Sequence, residues 1–445
     1  MPSRRRWLLT FITLGLLSAS LAIAPRDSED TLSVTASAQT LEAGGESGMR
    51  WYRGNLHTHS LWSDGDDYLE SIAAWYRDHD YDFLAFTDHN VLADKERWID
   101  VEKSKGKKLA FDKLKTRFPE WVEERMTEGR LEVRLRRFEE VAERFNEPGK
   151  FLLLQGEEVS DSFKGLPIHM NATNVKELVV PRHGDSVLEV MQNNTDALIS
   201  QRERTGQAML IHLNHPNFGW AITAEDLMRV RGENFFEVYN GHPSVGNRGD
   251  MTRASTGRIW DIVNTFRITE LDLPLMYGLA TDDGHSYHRI PSGASEPGRG
   301  WVMVLASELK PESLIEAMEA GRFYASTGVT MKKIVSSKEG LSVEVAGEKG
   351  IKYLIEFVGT RKGFDPKSEP QKDKDGKEIG TTRRYSPQIG AVLARSHGTQ
   401  ATYRFKGDEL YVRARIMSTK QHPNPGTARE FEMAWIQPAR GPAAP

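Results

Sequence analysis

Cysteine is absent from this 445-residue chain. Its absence excludes disulfides, thiolate zinc sites, iron–sulfur clusters and a cysteine nucleophile together, so any metal must be held by nitrogen and oxygen. A strong charge of one sign is missing too. The 59 Lys and Arg against 63 Asp and Glu leave a formal net charge of −4, too weak a field to draw in nucleic acid without sequence preference. Beyond the N-terminus there is no long apolar run, and the 38% hydrophobic and 27% charged content suits a globular protein. At roughly 150 residues per domain, the length predicts two or more domains.

What is present begins with a targeting pattern. Arg4-Arg5-Arg6 is a basic start, and the uncharged apolar stretch from Leu8 to Ala24 is short for a spanning helix. Small-residue cleavage signals follow at Ala22-Ile23-Ala24 and Ala36-Ser37-Ala38. The expectation is a signal peptide over 1–24, or to 38, with no stable membrane anchor after cleavage and a periplasmic or secreted destination. Ser3-Arg4-Arg5-Arg6-Trp7-Leu8 resembles a twin-arginine signal, and an ordinary secretory signal fits the same residues. Residues 25–49, rich in Ser, Thr, Ala and Gly, read as a flexible leader.

From about residue 50 to 330, short apolar runs alternate with helical patterns, as βα units around a parallel sheet or barrel do. Strands are expected at 51–57, 82–88, 151–158, 208–213, 234–239, 276–281 and 300–306. Helices are expected at 67–79, 136–146, 185–203, 223–230 and 311–320. The charged and aromatic stretch 93–135 reads as a helical insertion seated by Trp98, Phe111, Phe118 and Trp121. Over 331–440 the apolar period becomes two, which predicts a small β-sandwich with Tyr403, Tyr411 and Trp435 in its core.

The chemistry sits where apolar strands stop. His57-Thr58-His59 ends the first strand, where residues two apart face the same way and both imidazoles can reach one ion. Ser63-Asp64-Gly65 can turn a carboxylate back toward that strand end. Thr87-Asp88-His89-Asn90 ends the second strand, and Glu157-Glu158, followed by His169, ends the third. His212-Leu213-Asn214-His215-Pro216 and Asp282-Asp283-Gly284-His285 end two more. Five strand ends bearing His or carboxylate are the pattern of a barrel with its site at the C-terminal ends of the strands.

Together these residues resemble the PHP (polymerase and histidinol phosphatase) superfamily. The matching segments are Asn55-Leu56-His57-Thr58-His59-Ser60, Ser63-Asp64-Gly65, Phe86-Thr87-Asp88-His89-Asn90, Gly156-Glu157-Glu158-Val159-Ser160, His215-Pro216 and Asp283-Gly284-His285, in order between residues 50 and about 325. The resemblance implies an α/β fold, a distorted (β/α)7 PHP barrel here followed by the small all-β sandwich, and a nine-ligand centre for up to three divalent ions. His57, His59 and Asp283 would hold one ion. Glu158 would bridge it to a second, bound also by His169 and His215, and Asp64, His89 and His285 would hold the third. Glu157, His212 and Asp282 compete with Glu158, His215 and Asp283. The family spacing favours the latter three, leaving Asp88, Glu157, Asp282 and His212 as supports for the ligands.

Imidazole and carboxylate without sulfur suit Mn²⁺, Fe²⁺ or Zn²⁺. Three acids and six histidines leave such a cluster net positive, which favours a small phosphorylated substrate and a metal-bridged hydroxide as nucleophile. His212, His242 and His288 are the candidates for the leaving-group acid, and Arg248 and Arg289 for phosphate contacts. The competing readings are an amidohydrolase-like enzyme or lactonase, and an exported binding protein whose sandwich recognises a glycan or partner. Nothing in the sequence fixes the oligomeric state.

Overall fold

A computed structural model of the protein describes residues 39–43 and 48–445. The expected signal peptide and the start of the leader lie outside the described residues. In chain order the first elements are β1 (Gln39–Glu42), β2 (Arg50–Asn55), α1 (Leu69–Asp78) and β3 (Phe83–Phe86). An excursion follows, with β4 (Arg97–Asp100), α2 (Lys107–Arg117), β5 (Glu124–Thr127) and β6 (Arg130–Leu135). The main series resumes with α3 (Phe138–Phe145), β7 (Leu152–Phe163), β8 (Leu166–Thr173), α4 (Val187–Thr205), β9 (Leu210–Leu213), α5 (Ala224–Leu227) and β10 (Phe235–Asn240). It continues through α6 (Thr256–Thr269), β11 (Tyr277–Thr281), β12 (Trp301–Ala306), α7 (Pro311–Glu319) and β13 (Phe323–Ser326). The C-terminal part is all strand: β14 (Met331–Ser337), β15 (Gly340–Val345), β16 (Tyr353–Arg361), β17 (Ser368–Glu369), β18 (Arg384–Tyr385), β19 (Ala391–His397), β20 (Gln400–Arg404), β21 (Glu409–Gln421) and β22 (Phe431–Arg440).

One 13-stranded sheet carries most of this mixed α/β protein, in the order β11-β10-β9-β8-β7-β3-β2-β12-β13-β22-β21-β16-β19. Within it β2, β3 and β7 run parallel, as do β9, β10 and β11. The row curls until its β11 end returns to β2 in the middle of the row. Thr58, just past β2, bridges in parallel to Gly284, just past β11, and the His59 amide donates to the Gly284 carbonyl at 3.0 Å. Apolar residues of β2, β3, β7, β9, β10, β11 and β12, among them Tyr52, Phe83, Leu154, Leu210, Phe235, Leu279 and Val304, fill one buried cluster.

A strict βα alternation does not hold. No helix follows β7; the chain turns at Lys164-Gly165, both at positive φ, and β8 returns antiparallel to β7 and to β9. Left-handed conformation at both central residues is what a tight two-residue hairpin requires. The helix α6 also goes beyond the sequence expectation. Its Ile, Val, Thr and Trp are weak helix formers and nearly every face is buried, so it shows no amphipathic period to read.

The excursion 93–135 is corrected from helical to mixed, because β4, β6 and β5 form a three-stranded antiparallel sheet beside α2. Phe111 and Phe118 do seat it, sharing a buried cluster with Leu61, Trp62 and Tyr68 of the loop after β2; Trp121 packs against its edge. Trp98 lies partly exposed beneath the Arg125 guanidinium. The leader is corrected at its end, where β1 pairs antiparallel with β14.

In the C-terminal part, β1, β14, β15 and β20 form a second sheet. Its Leu41, Ile334, Leu341 and Val343 share one core with Ile355, Phe357, Val412, Ile416 and Ile436 of the large sheet. Tyr403, Tyr411 and Trp435 are all buried, and Trp435 packs toward Tyr239 of β10, with ring centroids 5.8 Å apart.

A buried pair ties this part to α6. Arg413 of β21 donates to both oxygens of Asp261 at 2.8 and 2.7 Å, and Tyr411 donates to the same carboxylate at 2.9 Å. Removing one partner of a buried ion pair strands the other, so Arg413→Ala should lower unfolding stability by about 3–5 kcal/mol in denaturant titration.

Candidate metal centre

Glu158, in β7, is fully buried and surrounded by imidazoles. Its Oε2 lies 3.4 Å from His57 Nε2, 3.2 Å from His59 Nε2 and 2.8 Å from His89 Nδ1. Its Oε1 lies 3.0 Å from His169 Nδ1 and 3.4 Å from His215 Nε2. Asp283 Oδ1 stands 3.2 Å from both His57 Nε2 and His59 Nε2 and 3.5 Å from His285 Nδ1. Asp64 Oδ1 completes the set at 3.2 Å from His285 Nε2, 3.6 Å from His89 Nε2 and 3.8 Å from His59 Nδ1. All nine residues expected as ligands therefore converge.

The fold explains the convergence. His57 and His59 leave the end of β2 on one side, and Asp283 turns off the end of β11 at φ +50°, in the left-handed region a short carboxylate side chain tolerates. Asp88 builds the intervening loop. It accepts the Ser60 and Ser63 amides at 2.8 and 3.1 Å and both their hydroxyls at 2.7 and 2.6 Å, which places Asp64 over the cluster. Asp282 does the same at the other end, accepting the Arg299 and Gly300 amides and the Tyr76 hydroxyl.

The donor set suits divalent metal ions. His57 Nε2, His59 Nε2 and Glu158 Oε2 are buried with no hydrogen-bond partner, although they stand 3.2–3.4 Å apart. Atoms that approach this closely without aligning as hydrogen bonds behave as ligands around a shared ion. Bonds of about 2.0–2.1 Å to a tetrahedral ion set ligand edges near ~3.3 Å. Five overlapping subsets each gather ligand atoms within 4.8 Å of one another: His59, Asp64, His89 and His285; His57, His59 and Asp283; His57, Glu158 and His215; His89, Glu158 and His169; and His57, His212 and Glu237.

Electrostatics point the same way. Burial would raise the Glu158 carboxyl, but His89, His57 and His169 hold it well below the usual carboxylate range. Burial would lower His57, but Asp283, Glu158 and Glu237 lift it well above an ordinary imidazole. Ion binding would compete with protons on the raised imidazoles.

Glu237 was not foreseen. It is fully buried in β10, and its Oε1 lies 2.7 Å from His57 Nδ1 and accepts the Thr281 hydroxyl at 2.7 Å. Its Oε2 accepts the His215 amide at 2.7 Å and Asn240 Nδ2 at 2.8 Å. A carboxylate on the second nitrogen of a ligand imidazole fixes its tautomer and orientation. The available signal was a lone acid inside the apolar strand Phe235-Phe236-Glu237-Val238, since a charge is seldom fully buried without a partner. Asn214 and Asn240 are further supports, donating to Glu158 Oε1 at 2.8 Å and to Asp283 Oδ2 at 3.1 Å.

The remaining candidates fall in different places. Glu157 points away, accepting the Val179 amide at 2.8 Å, and burial pushes its carboxyl up to about 8. His212 is closed to solvent with Nε2 3.5 Å from Glu237 Oε1. His288 Nε2 bonds the Asp66 carbonyl at 2.8 Å. Of the three acid candidates, only His242 stands beside the ligand rings on the partly exposed rim, 5.7 Å between centroids from His285. Burial pushes it down to about 4, so its imidazole is neutral at neutral pH. Arg248 and Arg289 are exposed and make no hydrogen bond among the described residues.

No family model matches the sequence, and no curated protein matches it. Solved structures do overlap it. A two-domain protein from Bacteroides vulgatus, described as containing a predicted PHP-like metal-dependent phosphoesterase, shares 14% identity over 88% of this chain and 96% of its own, with a TM-score of 0.39. A protein from Bifidobacterium adolescentis named for metal-dependent phosphoesterase activity shares 12% identity over 53% of this chain and 88% of its own, with a TM-score of 0.28. PsfC from Pseudomonas syringae shares 12% identity over 57% of this chain and 82% of its own, with a TM-score of 0.30. Overlaps this loose carry no argument about activity, which stands on the side chains above.

Two substitutions separate ligand, support and bystander. Glu237→Gln should weaken divalent-metal affinity by about 10–100-fold in chelator competition, as loss of a ligand's hydrogen-bonded carboxylate does. Glu157→Gln should leave the bound metal per chain unchanged.

Proposed function

We propose that the chain is an exported metal-dependent hydrolase of the PHP type, and that it cleaves esters of a small phosphorylated molecule at a centre of up to three divalent ions. The observation that carries the reading is Glu158 set among five imidazoles, with buried ligand atoms left unpaired. His57, His59 and Asp283 would hold one ion, Glu158, His169 and His215 a second, and Asp64, His89 and His285 the third. Such ions acidify water and polarise phosphoryl oxygens, so no protein nucleophile is needed.

The protein's own groups supply position and charge. Glu237 and Ser160 fix His57 and His89 through their other contacts, at 2.7 and 2.5 Å. Glu237 adds a fourth carboxylate to Asp64, Glu158 and Asp283, so three divalent ions leave the site about two charges positive while two leave it neutral. Attraction of a phosphate therefore depends on full occupancy. The centre opens on the side of half-exposed Asp64 and partly exposed His89 and His285, while His57, His59 and Glu158 are closed to water. Substrate would enter from that face, where neutral His242 can hydrogen-bond it. Export rests on the basic and apolar N-terminal pattern, and a mature N-terminus at residue 25 or 39 would support it.

Metal-loaded protein should release the phenol from aryl phosphate monoesters or diesters, lose that activity on chelation, and lose at least about 100-fold in kcat/KM on His57→Ala. Cleavage of an amide or lactone with no phosphate ester turned over would replace this reading with another hydrolase class.

A further inference from the structure

Beside the ligand cluster lies a cavity of about 300 Å³. Its walls come from Trp220, from the loop that follows β10 and carries Arg248, and, from the C-terminal part, from Gly426, Thr427 and Glu430. Asn240 and His242 line it as well; Asn240 donates to Asp283 and His242 flanks His285. None of the nine ligand residues is in the lining, so the cavity adjoins the metal centre without containing it.

Buried Arg299 holds the two contributing segments together. It donates to the Gly241 carbonyl at 2.8 Å, to the Asn424 carbonyl and side chain at 3.3 Å each, and to Glu296 at 2.9 Å. The C-terminal segment is thus a built wall.

Of the two charged residues in the lining, Glu430 is already engaged. It accepts the Gly426 and Thr427 amides at 2.8 and 3.3 Å and is paired with the buried Tyr239 hydroxyl. Arg248 is the opposite case. It is exposed, and no hydrogen bond or ion pair joins its side chain to a described residue.

The backbone beneath Arg248 is nevertheless fixed. Asn247 exchanges two hydrogen bonds with Asn240, at 3.1 and 2.8 Å, and Thr256 donates to the Asn247 carbonyl through its amide and its hydroxyl at 3.0 and 3.1 Å. Gly249 follows at φ +64°, where a Cβ would strike the Arg253 carbonyl, so the loop turns back directly after Arg248. An unpaired guanidinium on a braced loop presents a planar fork of N–H donors, the geometry that carboxylate and phosphate oxygens accept in pairs. His242 adds a donor at the border of the two compartments, because its Nδ1 accepts the Ser244 amide at 3.1 Å and the proton of the neutral ring is left on Nε2.

We propose that this cavity receives a second anionic group, a carboxylate or phosphate carried on the alcohol half of the substrate, and that Arg248 binds it. The proposal rests on the phosphoesterase reading for the first phosphate. Arg248 then selects the substrate and does not act on the phosphoryl group at the ions, whose ligands lie outside the cavity it lines. A cavity near the lower end of the usual ligand-pocket range admits one small substituted ring.

The test uses aryl phosphates matched in shape and different in charge: 3-carboxyphenyl phosphate against its neutral isostere 3-carbamoylphenyl phosphate, with a 3-phosphonomethyl ester to tell carboxylate from phosphate as the preferred group. In the metal-loaded native protein, kcat/KM should favour a charged ester over the carbamoyl ester at least about tenfold, and Arg248→Gln should remove most of that preference. The Arg248 side chain has no partner in the protein, so the Tm of the variant should match the native value. Equal native rates for charged and neutral esters, or a preference that Arg248→Gln leaves intact, would overturn the proposal. Isothermal titration of the metal-loaded protein with the non-hydrolysable 3-carboxybenzyl- and 3-carbamoylbenzylphosphonates reads the cavity without catalysis. Tighter binding of the charged compound that Arg248→Gln abolishes supports the assignment, and equal affinity or no binding overturns it. If no phosphate ester is cleaved, the phosphoesterase reading fails, and the titration alone decides the cavity.

Discussion

A single carboxylate, Glu158, closed to water and within 3.4 Å of five imidazoles, is the constraint around which the N-terminal half of the structure is organised. An ionised carboxylate in such a place is tolerable only if positive charge meets it from several sides. Those sides are the ends of β2, β3 and β9 and the middle of β8, which the curled sheet brings together. The antiparallel hairpin of β7 and β8 has a role here, because it sets His169 opposite Ser160 and turns it toward Glu158 at 3.0 Å.

The ligands are only as well placed as the groups behind them. Asp88 and Asp282 carry no metal-facing role of their own; they gather backbone amides, and so shape the two turns from which His59, Asp64, Asp283 and His285 project. Glu237 performs the same service for a side chain, fixing His57 from behind while also holding the His215 amide. A cluster of like-charged ions held there would depend on this rigidity, since their mutual repulsion would otherwise spread the ligands.

Of the nine candidate ligands, His57, His59, His89, His215, Asp283 and His285 were legible because each lies just past the end of an apolar strand, a pattern local in sequence, whereas Glu158 and His169 lie inside β7 and β8. The strands β15, β16, β20, β21 and β22 were legible for a similar reason, through their period of two. What escaped was set by distant partners. Glu237 sits inside a strand, and only its contact with His57 gives it meaning. The helix α6 is buried on nearly every face and lost its period, while β1 is a strand only because β14 offers it an edge. The wall formed by Gly426, Thr427 and Glu430 depends on Arg299, more than a hundred residues away in the chain.

The C-terminal strands are continuous with the sheet that bears the metal centre, since β13 pairs with both β12 and β22. Position of the site and shape of its neighbouring cavity are therefore mechanically joined. All of it depends on Glu158 being a ligand. Elemental analysis of the protein before and after Glu158→Gln, with circular dichroism to confirm the fold, tests that directly. The account predicts two or three divalent ions per chain in the native protein and loss of at least two in the folded variant. Undiminished metal in the variant, or a native protein that binds none, would contradict it.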